Sequence, residues 1–304
     1  MALIEHWPEH LAPDPCRKDT LTFRSAADGK EQIADIYSPA SEISAPLPLL
    51  LAPHPITWTA EQDYHGGYEG FTREYHRGYY ALADRYSVII AMPHGHHRRE
   101  ETCSLASPEQ ISDLVQIIDD LESFGYRVNK QQVFICGLSM GAQEALVAAG
   151  RFPDRFTAVC VFNPIVDLAA WQEDLANMDL PEVKEFDTAR RIANEVGGLP
   201  SEAPGAYAER SPLNYLDGLV RVPTLIFWSD QDLIVPRQIT HHGYFLYQKL
   251  KAKDVSCPVS EYNHTLSHGV TMFDQRTRFQ LHEWADYELA LRWLLIHRKS
   301  KNDR

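Results

Sequence analysis

A chain of 304 residues, 44% hydrophobic and 23% charged, has the composition of an ordinary globular protein and length enough for a sizeable core. Its net charge of −13 repels phosphate backbones and anionic lipids, which argues against nucleic-acid and membrane-surface partners. Five cysteines, at positions 16, 103, 136, 160 and 257, are odd in number and irregularly spaced, which argues against a disulfide framework and a zinc ribbon.

Cys136 and Cys160 lie inside apolar runs, as small hydrophobes do. The start, "MALIEHWPEHLAPDPCRK", lacks the charged stretch and apolar core of a signal peptide, and no apolar run approaches transmembrane length. A soluble, reduced, cytoplasmic protein is expected.

"KDTLTFRSAADGKEQIADIYSPA" predicts two strands with Asp28-Gly29 in the turn. "PLPLLLAPHP" is a short continuous apolar run, the mark of a buried strand. "REYHRGYYALADR" has helical period, and "YSVIIAMPHG" is another buried strand. "SPEQISDLVQIIDDLES" starts a helix, with Ser107 as N-cap and Pro108 at the first helical position. "QQVFICG" is a strand and "GAQEALVAAGRFP" a helix. "FTAVCVFNP", "VPTLIFWSD" and "CPVSEYN" are further strands, and "HEWADYELALRWLLIH" is the last helix.

Strands that alternate with helices and are apolar almost throughout imply a mostly parallel sheet covered on both faces, with the leading hairpin as an antiparallel edge. Residues 167 to 211 break the rhythm: they are helical in pattern and hold ten Asp or Glu against four Lys or Arg. We expect one domain over residues 1 to 304, with a helical cap inserted at about 167–211 whose acidic face is solvated.

The sharpest chemical signal is "ICGLSMGAQEAL". A strand runs into Gly137-Leu138-Ser139-Met140-Gly141 and a helix follows, so G-x-S-x-G stands in its strand–turn–helix context. The sharp turn lifts the Ser139 hydroxyl above the sheet as a nucleophile. Side chains two positions either side would strike the neighbouring strand and helix, hence the glycines. A serine needs a base and the base an orienting acid, in the chain order serine, acid, histidine. "PTLIFWSDQDLIVP" offers Asp232 in the turn beyond a strand, with Asp230 as the strand-end alternative. "SEYNHTLSHGV" offers His268, followed by a glycine that lets the loop bend back, with His264 as the alternative. One oxyanion donor is the Met140 N–H. The second belongs to the loop after "LLLAPHP", where Pro55 has no N–H and Ile56 is favoured over Thr57.

"FRSAADGKEQIADIYSP", "GLSMGAQEALVAAGRFPDRFTAVCVFNP" and "ERSPLNYLDGLVRVPTLIFWSDQDLIVPRQ" together resemble the α/β-hydrolase superfamily. Within it, they look like the catalytic domain of the prolyl oligopeptidase family and its single-domain esterase relatives. The resemblance spans roughly residues 20 to 297 and implies an α/β-hydrolase fold with Ser139, Asp232 and His268 as triad and no cofactor. The large oligopeptidases carry a β-propeller for which this chain has no room. "APHP" also replaces the family's usual glycine-rich oxyanion loop. The expected function is therefore hydrolysis of a small-molecule carboxylic ester through an acyl-enzyme. A peptidase or amidase of short substrates is the alternative, and a non-catalytic binding protein on the same fold the reading from another class.

Two further stretches are candidate substrate contacts. "WTAEQDYHGGYEGFTREYHRGYY" follows the oxyanion strand, and its Trp58, Tyr64 and Tyr68 present aromatic faces suited to stacking, against a core role for its later tyrosines. "MPHGHHRREE" groups His94, His96 and His97 like a metal site. However, adjacent His96 and His97 point apart in extended chain, and Arg98 and Arg99 add positive charge where a cation would bind. We expect no metal. The preceding strand is expected to neighbour the nucleophile's strand, which would put His94, His96, Arg98 and Arg99 on the rim of the site.

Overall fold

Along one central strand, β5 (Val128–Leu138), Val133 and Ile135 enter one apolar cluster while Phe134, Cys136 and Leu138 enter another. Alternate side chains of a strand point to opposite faces, so a strand that is apolar from Val133 to Leu138 must be covered on both. The computed structural model describes residues 16–41, 43–56, 79, 81–96, 103–179, 187–264 and 286–299. The other strands are β1 (Cys16–Arg24), β2 (Glu31–Pro39), β3 (Leu47–Leu51), β4 (Ile89–Pro93), β6 (Ala158–Phe162), β7 (Thr224–Trp228) and β8 (Val259–Asn263). They form one sheet in the order β1-β2-β4-β3-β5-β6-β7-β8. β1 and β2 pair antiparallel, as do β2 and β4; every pairing from β4 to β8 is parallel. The mostly parallel sheet with an antiparallel edge is the architecture expected from the sequence.

One expectation is corrected. β4 does not neighbour β5, because β3 lies between them. The chain lays β4 on the outer edge of β3, where its other edge is free to take the antiparallel β2, and then crosses back to put β5 on the inner edge of β3.

The helices are α1 (Pro108–Ser123), α2 (Met140–Arg151), α3 (Leu168–Ala176), α4 (Thr188–Val196), α5 (Pro204–Glu209), α6 (Leu216–Leu219), α7 (Gly243–Lys253) and α8 (Tyr287–Leu295). Ile111 and Leu114 of α1, Leu146 of α2 and Leu250 of α7 pack on one face of the sheet. Leu291 and Leu294 of α8, with Tyr79 and Leu82, pack on the other. Each fully buried side chain of this size contributes about 1.5–3 kcal/mol. Residues 81–85 are helical, matching the end of the predicted "REYHRGYYALADR" helix. Residues 282–285 of the predicted last helix lie outside the described residues.

Local chemistry sets the boundaries. Gly29 takes the hairpin turn at φ +75°, and the Asp28 carboxylate accepts from the Lys30 N–H at 2.9 Å. Ser107 Oγ accepts from the Gln110 N–H at 3.2 Å, capping α1 ahead of Pro108.

A third apolar cluster sits at the carboxyl end of the sheet. It joins Leu168, Trp171 and Leu175 of α3, Ile192 of α4 and Tyr207 of α5 to Ile56, Met140, Ile234 and Val235. The helices inserted between β6 and β7 are thus built onto the loops that leave β3, β5 and β7, where open α/β sheets place their sites. Among the described residues no helix is long and apolar enough to cross a membrane.

Candidate active site

Ser139 sits between β5 and α2 at φ 55°, ψ −118°. A non-glycine residue held in that region stores about 1–3 kcal/mol of strain, which the surroundings must impose. Two glycines let them do so. A Cβ on Gly137 would lie 2.1 Å from the Gly141 carbonyl oxygen, and one on Gly141 would lie 2.1 Å from the Pro53 carbonyl oxygen. The first glycine lets the strand run under the helix. The second lets the loop after β3 lie against the helix's first turn. The Ser139 N–H donates to Phe162 O at 2.9 Å, which ties the turn to β6. Ser139 is 1% exposed, and its hydroxyl finds no hydrogen-bond partner among the described residues. Met140 opens α2 and is buried, so its N–H is one of the first-turn donors that a helix leaves unpaired.

Asp232 lies in the loop after β7 and is buried, whereas Asp230 is exposed. Its Oδ1 accepts from the Ile234 and Val235 N–H groups, each at 2.9 Å. The loop is held from the insertion: Trp171 Nε1 donates to Ile234 O at 2.7 Å, and Asp174 meets Arg237 at 3.2 Å and His241 at 3.3 Å. His242 begins α7 fully buried, with Nδ1 accepting from the Val166 N–H at 3.1 Å. Burial, helped by the neighbouring His241, pushes its imidazole down to about 3, so it is neutral.

His268 lies outside the described residues, as do Trp58, Tyr64, Tyr68, His97, Arg98 and Arg99. The alternative histidine, His264, follows β8, and its Nε2 meets Asn163 Oδ1 at 2.9 Å, at the end of β6. Ile56 is buried in the loop after β3, in the same apolar cluster as Met140.

His94 and His96 turn toward the hairpin side of the molecule. His94 Nε2 lies 3.3 Å from Asp35 of β2. Burial opposes ionisation of Asp35, but His94, Thr20 and Lys18 around it hold its carboxyl well below the usual carboxylate range. The His96 ring is closed to solvent, with Nδ1 2.6 Å from Asp113 and Nε2 3.2 Å from Asp28. Burial disfavours its charge, yet these two carboxylates outweigh that and raise its pKa. A buried ring with both nitrogens engaged offers nothing to a ligand, which corrects the expectation that His96 contacts substrate. It fastens the loop after β4 to α1 and to the hairpin.

Behind α2 lies a polar cluster that sequence reasoning missed. Glu144 of α2 is fully buried; Ser104 Oγ donates to one of its oxygens and Gln110 Nε2 donates to the other at 2.8 Å. Burial pushes its carboxyl up to about 7 despite these bonds and one from the Ala106 N–H. Gln110 also accepts from the His96 N–H at 2.7 Å, and Arg210, past α5, donates to Ser104 O at 2.8 Å. The one sequence signal was an acid inside an otherwise apolar helix. In the loop after β3, His54 Nδ1 lies 2.6 Å from Pro55 O and Nε2 lies 2.7 Å from His94 O.

The prolyl oligopeptidase family matches residues 106–291. No curated protein matches the chain. Among solved structures, Pyrococcus horikoshii acylaminoacyl peptidase is similar at 16% identity and a TM-score of 0.65 over 96% of this chain and 43% of that one. The chain thus spans less than half of that peptidase. S-formylglutathione hydrolase from Agrobacterium tumefaciens is similar at 15% identity and a TM-score of 0.61, over 95% of this chain and 99% of that one. Porphyromonas gingivalis dipeptidyl peptidase 4 is similar at 16% identity and a TM-score of 0.61, over 93% and 36%. At these identities the likeness is one of fold, the α/β-hydrolase fold.

Proposed function

Because the chain belongs to the prolyl oligopeptidase family, a family of serine hydrolases, we propose that it hydrolyses a carboxylic ester of a small molecule through a Ser139 acyl-enzyme. The observation that carries this reading is Ser139 itself. It is a buried hydroxyl with no partner among the described residues, held in a strained turn at a helix N-terminus. Strain of this kind persists where function uses it.

In the proposed cycle His268 removes the Ser139 proton as Oγ attacks the ester carbonyl, and Asp232 holds the imidazole's tautomer and steadies the imidazolium. The tetrahedral oxyanion rests on the Met140 and Ile56 N–H groups. His268 returns the proton to the leaving alcohol, and water then attacks the acyl-enzyme with His268 again as base. The product acid departs and Ser139 is restored. No cofactor takes part. The two backbone donors on Asp232 Oδ1 support its role, since they immobilise the carboxylate. Residues 167–211 act as a cap over the site. Trp58, Tyr64, Tyr68, His94, Arg98 and Arg99 remain substrate contacts in this proposal. Five free cysteines fit a cytoplasmic location.

The similar S-formylglutathione hydrolase, matched over 99% of its length, supports the ester reading. The family itself favours the second reading, hydrolysis of short peptides or aminoacyl amides. A panel of p-nitrophenyl esters and aminoacyl anilides, run on wild type and Ser139→Ala, tests both. We expect ester turnover and fluorophosphonate labelling that vanish in Ser139→Ala. Faster anilide turnover would overturn the ester assignment, and activity surviving in Ser139→Ala would overturn the mechanism.

A further inference from the structure

Each ring nitrogen of His54 faces a backbone carbonyl oxygen within hydrogen-bond distance: Pro55 O at 2.6 Å and His94 O at 2.7 Å. A carbonyl oxygen only accepts, and a neutral imidazole has one N–H to give. With one proton, the other nitrogen would set its lone pair against an oxygen at under 3 Å. Both contacts are satisfied only by the imidazolium. The residue is buried, 5% exposed, where a hydrogen bond from a cation is strong and well aimed.

The partner of Nδ1 gives this charge a task. Pro55 O belongs to the peptide unit that carries the Ile56 N–H. In a planar trans peptide the carbonyl and the N–H point in opposite directions. Whatever fixes the Pro55 carbonyl therefore fixes where the Ile56 N–H points. A cation on that oxygen also draws electron density from the peptide and makes its N–H a better donor. The other ring nitrogen anchors on the loop after β4, which Gln110 and Asp113 of α1 hold through His96.

We propose that His54 is a doubly protonated positioning residue that aims and polarises the Ile56 N–H as the second oxyanion donor. This rests on the reading of Ile56 given above. Among the described residues, the groups around the ring include His94, turned to Asp35, and Ser104, whose hydroxyl donates to Glu144. A Cβ at Gly95 would lie 3.1 Å from His54 Nε2 and 4.0 Å from Ser104 Oγ, so ring, loop and serine converge on one spot.

Two measurements test it. Nitrogen-15 spectra of histidine-labelled wild type, with His54 assigned by comparison with His54→Gln, should show protons on both ring nitrogens at pH 8, where a free imidazole is neutral. A ring with one N–H overturns the proposal, whatever the site does. Kinetics of His54→Gln on p-nitrophenyl butyrate should show kcat reduced about 10- to 100-fold with KM nearly unchanged, below the full effect of deleting an oxyanion donor. Affinity for phenylboronic acid, which mimics the tetrahedral species at Ser139, should fall by a similar factor. Unchanged kcat and boronate affinity in a folded variant sink the role in catalysis. Where His54→Gln does not fold, through-bond correlation of the ring nitrogens to the His54 backbone assigns the signals in wild type, and those spectra decide. The underlying site reading fails separately, by turnover that persists in Ser139→Ala.

Discussion

The indole N–H of Trp171 donates to the carbonyl of Ile234 at 2.7 Å, and the amide of that same Ile234 donates to Asp232 at 2.9 Å. The first helix of the insertion is therefore one residue removed from the proposed catalytic acid. Trp171→Phe keeps most of the apolar volume and deletes one donor, leaving a buried carbonyl unpaired. Unfolding free energy should fall by about 1–3 kcal/mol, read by urea denaturation. Ester kcat should fall as well, while KM stays close to wild type. A stability loss with unchanged kcat would separate Trp171 from the acid.

Glycines around the elbow divide by what surrounds them. Gly141→Ala places a methyl 2.1 Å from the Pro53 carbonyl oxygen, a collision with backbone that rotamer changes do not relieve. It should cost about 3 kcal/mol or more and abolish turnover. Gly205→Ala meets nothing within 4 Å and lies in α5, so it should be neutral or slightly stabilising. Denaturation midpoints of the two variants check the contrast.

Gly95 adopts φ +96°, and a Cβ there would press on His54 Nε2. Gly95→Ala should lose stability by about 1–3 kcal/mol and should lower kcat along with it, as a thermal melt and initial rates would reveal.

Glu144 has its carboxyl raised to about 7 by burial, above its ordinary value of 4.5. Between those pH values the unfolded chain releases this proton while the folded chain keeps it. The contribution of Glu144 to stability is full below pH 4.5 and is lost as pH rises through about 7, on the order of a few kcal/mol. Glu144→Gln should flatten that loss, since the Ser104 hydroxyl can turn to accept from the new amide. The check is a set of denaturation curves at pH 5 and pH 8 for both proteins. The variant should gain relative stability at pH 8, and equal pH dependence would refute the assignment.

His242 has the opposite sign. Its pKa is depressed from 6.5 to about 3, so the folded protein holds it neutral while the unfolded chain takes up a proton. Its contribution is present above pH 6.5 and is lost as pH falls toward 3. His242→Gln, whose side-chain oxygen can accept from the Val166 N–H, should lessen acid unfolding between pH 6 and 4. Circular dichroism during acid titration reads it.

The sheet and the elbow were legible in the sequence because their determinants are local. Apolar runs bounded by turn residues mark the strands, and the Gly137 and Gly141 spacing encodes two backbone contacts that allow no Cβ. Strand order is not local. Nothing within "YSVIIAMPHG" says whether β4 lies on the inner or the outer edge of β3, and the choice depends on β2 needing an antiparallel partner. The burial of His96 was illegible for the same reason: its partners, Asp28 and Asp113, come from a hairpin and a helix far along the chain. Three close histidines read as one cluster, but His94 answers to Asp35 and His96 to Asp28 and Asp113. Glu144 showed only as an anomaly, and its meaning depended on Ser104 and Gln110 arriving from other elements.

The contacts of α3 with residues 234–242 also bear on how this scaffold can be re-engineered. Trp171, Asp174, and the Val166 amide that meets His242 all lock into the segment that follows Asp232. An insertion transplanted alone from a relative would arrive without its matching sockets and would leave Ile234 O, Arg237 and His242 stranded. The exchangeable module is thus discontinuous: residues 166–211 travel with residues 229–242, and a chimera should be cut at β6 and β7 rather than at the edges of the helices.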